Sequence, residues 1–106
     1  MADTLRLRVV TPEGSRVDEE AASVTVRSEV GELCLLPQHR PILAALLPGR
    51  LVLERAGGER EIFAIDRGFL EGGPDCANVI TERCVGAGEL NPEDAARLEV
   101  SGSDER

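Results

Sequence analysis

The most constraining feature of this sequence is a series of short stretches in which apolar and polar residues alternate, separated by turns rich in Gly and Pro. Leu5, Leu7 and Val9 alternate with arginines before a Thr-Pro-Glu-Gly turn, and a similar alternation returns at residues 50–54. A period of two places successive side chains on opposite faces of a strand, so each stretch has one apolar face. The chain must therefore pair its strands in a way that buries one face of each.

Strand signals recur along most of the chain. The predicted strands cover residues 5–9, 15–18, 23–27, 33–36, 42–47, 51–54, 62–65, 68–71 and 77–81, with 15–18 as a charged edge strand. Roughly seven to ten short strands at this spacing predict an all-β sandwich or barrel. The run Ile42–Leu47 has more Leu and Ala than one sandwich face needs. It is either core or a face shared with a partner.

Two glycine pairs, Gly57-Gly58 and Gly72-Gly73, have two possible interpretations. Glycine pairs occur in phosphate-binding loops, but neither pair belongs to a G-x-x-x-x-G-K-[ST] motif and the chain has no lysine. Glycine also supplies the backbone angles that tight turns need. We therefore predict turns at both places and no nucleotide-binding loop.

The pattern changes after Gly88. Asn91 suits a helix N-cap, Pro92 suits the first helical position, and Asp94 can complete a capping box. These residues predict a short helix at residues 93–99, followed by a polar tail at residues 101–106. The predicted organisation is a β-sandwich domain at residues 1–88 and a short helix with a polar tail at residues 89–106.

Charge and cysteine content exclude several classes of function. The chain of 106 residues has a formal net charge of -8, which argues against nucleic-acid binding because that requires a basic surface. Its three cysteines are odd in number and lack C-x-x-C spacing, so the sequence predicts neither a disulfide framework nor a zinc site. No apolar run approaches the roughly 20 residues of a membrane span, and no signal peptide is evident.

His39 is the only histidine, the residue type that most often serves as a general base. A base needs a positioned partner and a nucleophile, and a metal site needs several ligands. The nearest thiol in the sequence is Cys34, and there is no second histidine. We therefore predict a turn-stabilising or interface histidine, with no catalytic residues, no metal and no cofactor.

Residues 31–49 carry the most specific motif, a strand, a proline-containing turn, a second strand and a Pro-Gly stop. This run resembles the signature of the epsilon subunit of F-type rotary ATP synthases. Two further segments, residues 7–13 and 64–71, are similar to other motifs of that family, and the likeness extends from about residue 4 to residue 90. The chain has Cys34 and Arg67 where the family usually has glycine. The signature residues that match are Gly31, Glu32, Pro37, His39, Pro41 and Gly49.

The resemblance implies a ten-stranded β-sandwich, here followed by one short C-terminal helix, and a place at the foot of the central stalk. It implies a non-catalytic subunit that bridges the gamma subunit and the c-ring. The residues implied to contact the c-ring are Val30, Gly31 and Glu32, although without the family Glu32 would equally suit a solvated loop acid. The residues implied to contact gamma are Val17, His39, Arg40, Leu43, Ala44 and Phe69.

The resemblance also sets expectations about location and regulation. It implies a peripheral protein at the cytoplasmic face of a bacterial inner membrane, without membrane insertion and monomeric when isolated. The family continues into a C-terminal helical hairpin that binds ATP in some bacteria through [IL]-D-x-x-R-A. Here Asn91 and Asp94 stand at the aspartate and arginine positions, so ATP sensing is not expected. The alternative hypothesis is a stand-alone β-sandwich protein-binding module.

Overall fold

Ten β-strands account for about two thirds of the described residues. The computed structural model describes residues 4–89 and Pro92. A short 3₁₀ helix follows the last strand at Ala87–Glu89. The strands are β1 Leu5–Thr11, β2 Gly14–Ala21, β3 Ser23–Ser28, β4 Gly31–Leu35, β5 Ile42–Leu46, β6 Gly49–Glu54, β7 Arg60–Ile65, β8 Gly68–Gly73, β9 Cys76–Thr81 and β10 Cys84–Gly86.

The strands form two layers that are joined at one corner. Hydrogen-bonded neighbours follow the order β10-β7-β6-β3-β5-β8-β9-β1-β2, with β4 also paired to β3. The link between β3 and β5 is a single pair, Ser28 with Leu46. The two layers are therefore β10-β7-β6-β3-β4 and β5-β8-β9-β1-β2. The predicted all-β sandwich with ten strands is confirmed.

The core lies between the layers and is filled by the inward residues of each alternating strand. On β1, Leu5, Leu7 and Val9 are buried, while Arg8 and Val10 between and after them are exposed. Leu70 of β8 and Val79 of β9 continue the same core cluster in the neighbouring strands. Full burial of each such side chain stabilises the fold by roughly 1.5–3 kcal/mol.

One of the two predicted glycine turns is confirmed and the other is displaced. Gly58 has a positive φ of 97° and closes the β6–β7 hairpin, where the Arg55 N–H donates to the Glu59 carbonyl oxygen at 2.7 Å. Gly72 and Gly73 instead belong to β8, and the turn lies at residues 74–75. The prediction of a turn at that pair was wrong because glycine within a strand also marks a place where another group approaches closely.

The predicted C-terminal helix at residues 93–99 and the polar tail at 101–106 lie outside the described residues. The boundary predicted between residues 88 and 89 therefore stays a prediction. Within residues 4–89, no helix has the length and apolar character required to cross a membrane.

Candidate protein-binding surface

The tip of the β3–β4 hairpin is the most exposed apolar feature of the described chain. Val30 is 87% exposed at this tip. Ser28 holds the turn together, because its hydroxyl donates to the Gly31 carbonyl oxygen at 2.7 Å and accepts from the Val30 N–H at 3.2 Å. Gly31 has a φ of 123°, a conformation that favours glycine. Val30, Gly31 and Glu32 are thus brought together on a turn with a fixed shape.

Backbone hydrogen bonds connect this hairpin to β5. The Glu29 N–H donates to the Ala45 carbonyl oxygen at 3.1 Å, and the Leu47 N–H donates to the Arg27 carbonyl oxygen at 3.0 Å. Both bonds lie beside the pair of Ser28 and Leu46 that joins the two layers. The hairpin tip and strand β5 therefore hold a fixed position relative to each other.

Strand β5 and strand β8 present two large apolar side chains to solvent. Leu43 is 77% exposed and Phe69 is 59% exposed. Phe69 pairs with Ala45, two residues beyond Leu43 on the same face of β5, so Leu43 and Phe69 are diagonal neighbours. Arg40 is exposed just before this strand. The structure thus brings Leu43 and Phe69 onto one surface, with Arg40 at its edge.

His39 packs against the backbone of β8 and β9 rather than facing open solvent. Its Nδ1 lies 2.7 Å from the Arg40 carbonyl oxygen, and its Nε2 lies 3.4 Å from the Cys76 carbonyl oxygen. The ring fills the space above Gly72, where an added Cβ would come within 2.7 Å of His39 Cε1. The preceding Gln38 has a positive φ of 69°. These contacts fit the predicted turn-stabilising histidine.

Substitution of Gly72 provides a test of the His39 position. The Gly72→Ala variant is expected to displace the ring and lower the free energy of unfolding by about 1–3 kcal/mol, the usual cost of overpacking. Because His39 is the only histidine, its imidazole NMR signals report the displacement directly. The matched control is Gly73→Ala, whose Cβ would lie 3.6 Å from Cys76 Sγ, an ordinary contact. Unchanged imidazole signals in Gly72→Ala would show that the ring is not seated over Gly72.

Comparison with known proteins places the chain in a family. Residues 4–87 match the profile of the ATP synthase, Delta/Epsilon chain, beta-sandwich domain. The chain belongs to the ATP synthase delta/epsilon family. The sequence-based family prediction is thus confirmed over most of the chain.

Relatives in this delta/epsilon family cover nearly the whole sequence. An ATP synthase epsilon chain of Chelativorans sp. is 33% identical over 97 residues, covering 92% of this chain and 72% of the relative. An ATP synthase epsilon chain of Xanthomonas oryzae pv. oryzae is 35% identical over 103 residues, covering 97% of this chain and 72% of the relative.

A solved structure shows the same fold. A chain in the cryo-EM structure of Euglena gracilis mitochondrial ATP synthase, with OSCP, F1 and the c-ring, superposes with a TM-score of 0.81 at 24% identity. The superposition covers 91% of the present chain and 61% of the Euglena chain. This chain therefore spans less than two thirds of that structural relative.

The two departures from the delta/epsilon family motifs cause no backbone strain. Cys34 sits in β4 opposite Thr25, with its side chain exposed. Among the described residues other than glycine, only Gln38 has a positive φ, so neither Cys34 nor Arg67 adopts a conformation that favours glycine. The family has a glycine pair at positions 67–68, where this chain has Arg67 and Gly68. Packing in the structure requires glycine only at the second position, Gly68. A Cβ on Gly68 would lie 2.0 Å from the Ile80 carbonyl oxygen.

Two of the residues predicted to contact gamma do not share the exposed surface. Val17 is only 4% exposed and belongs to the core, so its side chain is not available to a partner. It occupies an inward position of β2 because it pairs with the buried Val9 of β1. Ala44 pairs with the fully buried Leu70, on the opposite face of β5 from Leu43, and is half-buried. The predicted contacts of Val17 and Ala44 with gamma stay predictions, with the Val17 side chain buried in the isolated chain and Ala44 at the margin of the surface.

Two exposed apolar residues of this delta/epsilon chain, Val10 and Ile80, were not predicted from the sequence. Each directly follows an inward valine, Val9 or Val79, and so breaks the expected alternation of apolar and polar residues. Consecutive apolar residues in an otherwise alternating strand were the signal that could have identified them.

Two further ionisable groups of the sandwich, Asp18 and Cys84, have pKa values shifted by their surroundings. The Arg6 guanidinium bonds Asp18 at 2.7 Å across β1 and β2, and this hydrogen bond lowers the pKa of the Asp18 carboxyl. Burial raises the pKa of the Cys84 thiol to about 11, which makes it a poor nucleophile. Within the described residues, no group of three or more His, Cys, Asp or Glu side chains could hold a metal ion.

Proposed function

We propose that this chain is a non-catalytic central-stalk subunit of a rotary ATP synthase that bridges the gamma subunit and the c-ring. The observation that carries the proposal is the presence of two exposed apolar sites on one delta/epsilon sandwich. One is the hairpin tip at Val30, and the other is the surface formed by Leu43 and Phe69. A subunit that couples two partners requires two such sites at fixed positions.

The hairpin tip is the proposed c-ring contact. Val30 supplies apolar area, Gly31 supplies the turn, and Glu32 supplies a carboxylate to a basic group on a loop of the ring. An exposed ion pair of this kind stabilises binding by at most ~1 kcal/mol. Glu32 therefore orients the contact, while Val30 and the shape of the turn provide most of the affinity.

The surface around Leu43 is the proposed gamma contact. Leu43 and Phe69 are its apolar centre, Arg40 lies at its edge, and His39 fixes the loop that leads into β5. Ala44 is proposed only as a marginal contact because it is half-buried. Most of the binding free energy of an interface usually comes from a few well-packed residues near its centre.

Catalysis is no part of the proposal. Both ring nitrogens of His39 face backbone carbonyl oxygens, so the ring is occupied in holding the loop. We also propose, on the basis of family membership, a peripheral location at the cytoplasmic face of a bacterial inner membrane. Coupling of proton flow to ATP synthesis would then depend on the two contacts rather than on chemistry within the sandwich.

Reconstitution tests this function directly. ATP synthase depleted of its epsilon subunit is assembled in vesicles with the purified chain, and ATP-driven proton uptake is compared with ATP hydrolysis. We expect stoichiometric binding and an increase in protons moved per ATP hydrolysed. A tagged chain should also recover gamma and c subunits from a native membrane fraction. Recovery of neither subunit, with no gain in coupling, would favour the stand-alone binding module instead.

A further inference from the structure

The longest strand of the described chain lies at an edge of the sandwich. Strand β2 has eight residues and stands at the end of the strand order. Within residues 4–89 it pairs only with β1, so the backbone groups that point away from β1 have no strand partner. A long free edge of this kind is a template for pairing with another chain. A feature that blocks such pairing is therefore expected on β2.

Glu19 places a carboxylate at a core-facing position of this edge strand. It pairs in register with Leu7 of β1, whose side chain is fully buried between the layers. The residues two positions away on β2, Val17 and Ala21, both belong to the core cluster. Directly paired residues of antiparallel strands share a face, so the Glu19 side chain points toward the other layer. It remains 41% exposed because it lies at the open margin of the sandwich.

Arg55 supplies the counter-charge from the opposite layer. Its Nε donates to Glu19 Oε1 at 3.1 Å, and its Nη2 donates to the same oxygen. Nη2 also donates to Glu61 Oε1 of β7 at 2.7 Å. The Arg55 backbone is fixed in the β6–β7 turn through its bond to Glu59. The guanidinium therefore spans the margin between the edge strand β2 and the β6–β7 hairpin.

Stability alone favours an apolar residue at position 19. A partly exposed ion pair contributes little, because water screens it and both side chains lose conformational freedom. A leucine there would instead bury apolar area beside Leu7. An inward-pointing charge on an edge strand, however, opposes edge-to-edge pairing. A strand added alongside β2 would strip water from the Glu19 carboxylate, which costs free energy.

We propose that the ion pair of Glu19 and Arg55 prevents the free edge of β2 from pairing with β2 of a second copy of this chain. Two identical edges of eight residues can pair antiparallel about a twofold axis, and that pairing would bring both Glu19 carboxylates into one interface. Arg55 neutralises the inward charge within the single chain. This role goes beyond the proposed coupling function and requires neither gamma nor the c-ring.

The first test replaces Glu19 by leucine in the purified full chain. Glu19→Leu is expected to melt at the same temperature or higher, yet to dimerise at least about tenfold more tightly in sedimentation equilibrium, because the desolvation cost is gone. Glu20→Leu is the matched control, since it places a leucine on the outer face of the same strand, where Glu20 bonds Arg6. It should self-associate no more than the unsubstituted chain. A folded Glu19→Leu variant that is equally monomeric would overturn the proposal.

Two further measurements keep this test decisive. If leucine disturbs the fold, Glu19→Gln removes only the charge and should still strengthen dimerisation by about threefold or more. In the associated variant, amides of β2 that point away from β1 should become protected from hydrogen exchange. Protection confined to another surface would show that the contact does not use the β2 edge and would also overturn the proposal.

The second test concerns Arg55. Arg55→Met leaves the Glu19 carboxylate without its partner and should lower the melting temperature by about 4–8 °C, while the chain stays monomeric because the charge remains. Adding Glu19→Leu to this variant should recover most of the loss, since the two effects are coupled. Arg60→Met, at an exposed position at the start of β7, is the control and should change the melting temperature little. Purely additive effects of Arg55→Met and Glu19→Leu would show that the pair does not form in solution.

Discussion

The Gly68→Ala variant is expected to unfold about 3 kcal/mol more easily than the unsubstituted chain, a large cost for adding one methyl group. The new Cβ would lie 2.0 Å from the Ile80 carbonyl oxygen and 2.9 Å from Thr81 Cα. These are backbone atoms of the paired strand β9, so no side-chain rotation relieves the contact. Strands β8 and β9 must separate locally and lose hydrogen bonds. In a domain of this size the melting temperature should fall by roughly 12 °C or more.

Gly57→Ala is the matched control for this experiment. Gly57 lies in the β6–β7 turn with nothing within 4 Å of the added Cβ and without a positive φ. Its substitution should be neutral or should stabilise the fold by up to about 1 kcal/mol through the unfolded state. Equal melting temperatures for the two variants would show that β8 and β9 are not packed as closely at Gly68 as the structure describes.

The Leu43→Asp variant is expected to lose most of its affinity for gamma while remaining folded. In the free chain Leu43 is 77% exposed, so an aspartate there stays hydrated. In the proposed complex the same carboxylate would lose its water at the centre of an apolar contact. Burying an unpaired charge costs several kcal/mol, which corresponds to at least about a hundredfold weaker binding. Titration of depleted F1 with labelled chain measures this loss.

Leu36→Asp is the control for Leu43→Asp because it places the same charge at another exposed leucine. It should bind gamma with nearly unchanged affinity, and both variants should melt within a few degrees of the unsubstituted chain. Normal binding by folded Leu43→Asp would remove Leu43 from the gamma contact. A large loss of stability would mean that the side chain packs against the fold despite its exposure.

Nine of the ten strands could be predicted because each of them shows its own local signal, whereas β10, with only three residues, is too short to show one. Alternation identified β1, and turn residues identified the ends of the β6–β7 hairpin. Gly72 and Gly73 misled the prediction because a glycine pair carries the same local signal in a turn and in a closely packed strand. The pairing of Gly72 with Ile42 and the position of His39 above Gly72 distinguish the two cases, and neither contact is local in sequence.

The binding surface could be predicted only in part, for a related reason. Leu43 and Phe69 were found through their positions in family motifs, and the structure shows both exposed. The burial of Val17 could not be predicted because a motif position does not reveal which face of an edge strand points inward. Val10 and Ile80 lie about 70 residues apart in sequence and become neighbours only through the parallel pairing of β1 and β9. Strand order, which sets that pairing, follows from packing of the whole sandwich rather than from any single segment.

The parallel pairing of β1 and β9 also determines when the fold can form during synthesis. Strand β1 ends at Thr11, but its partner on one side begins only at Cys76. The β1–β2 hairpin can form early, yet the free side of β1 exposes unpaired backbone groups until β9 has emerged from the ribosome. Contacts between such distant segments form slowly, and unpaired edges are prone to aggregation. The first strand of the nascent chain is therefore open to wrong association until β9 pairs with it.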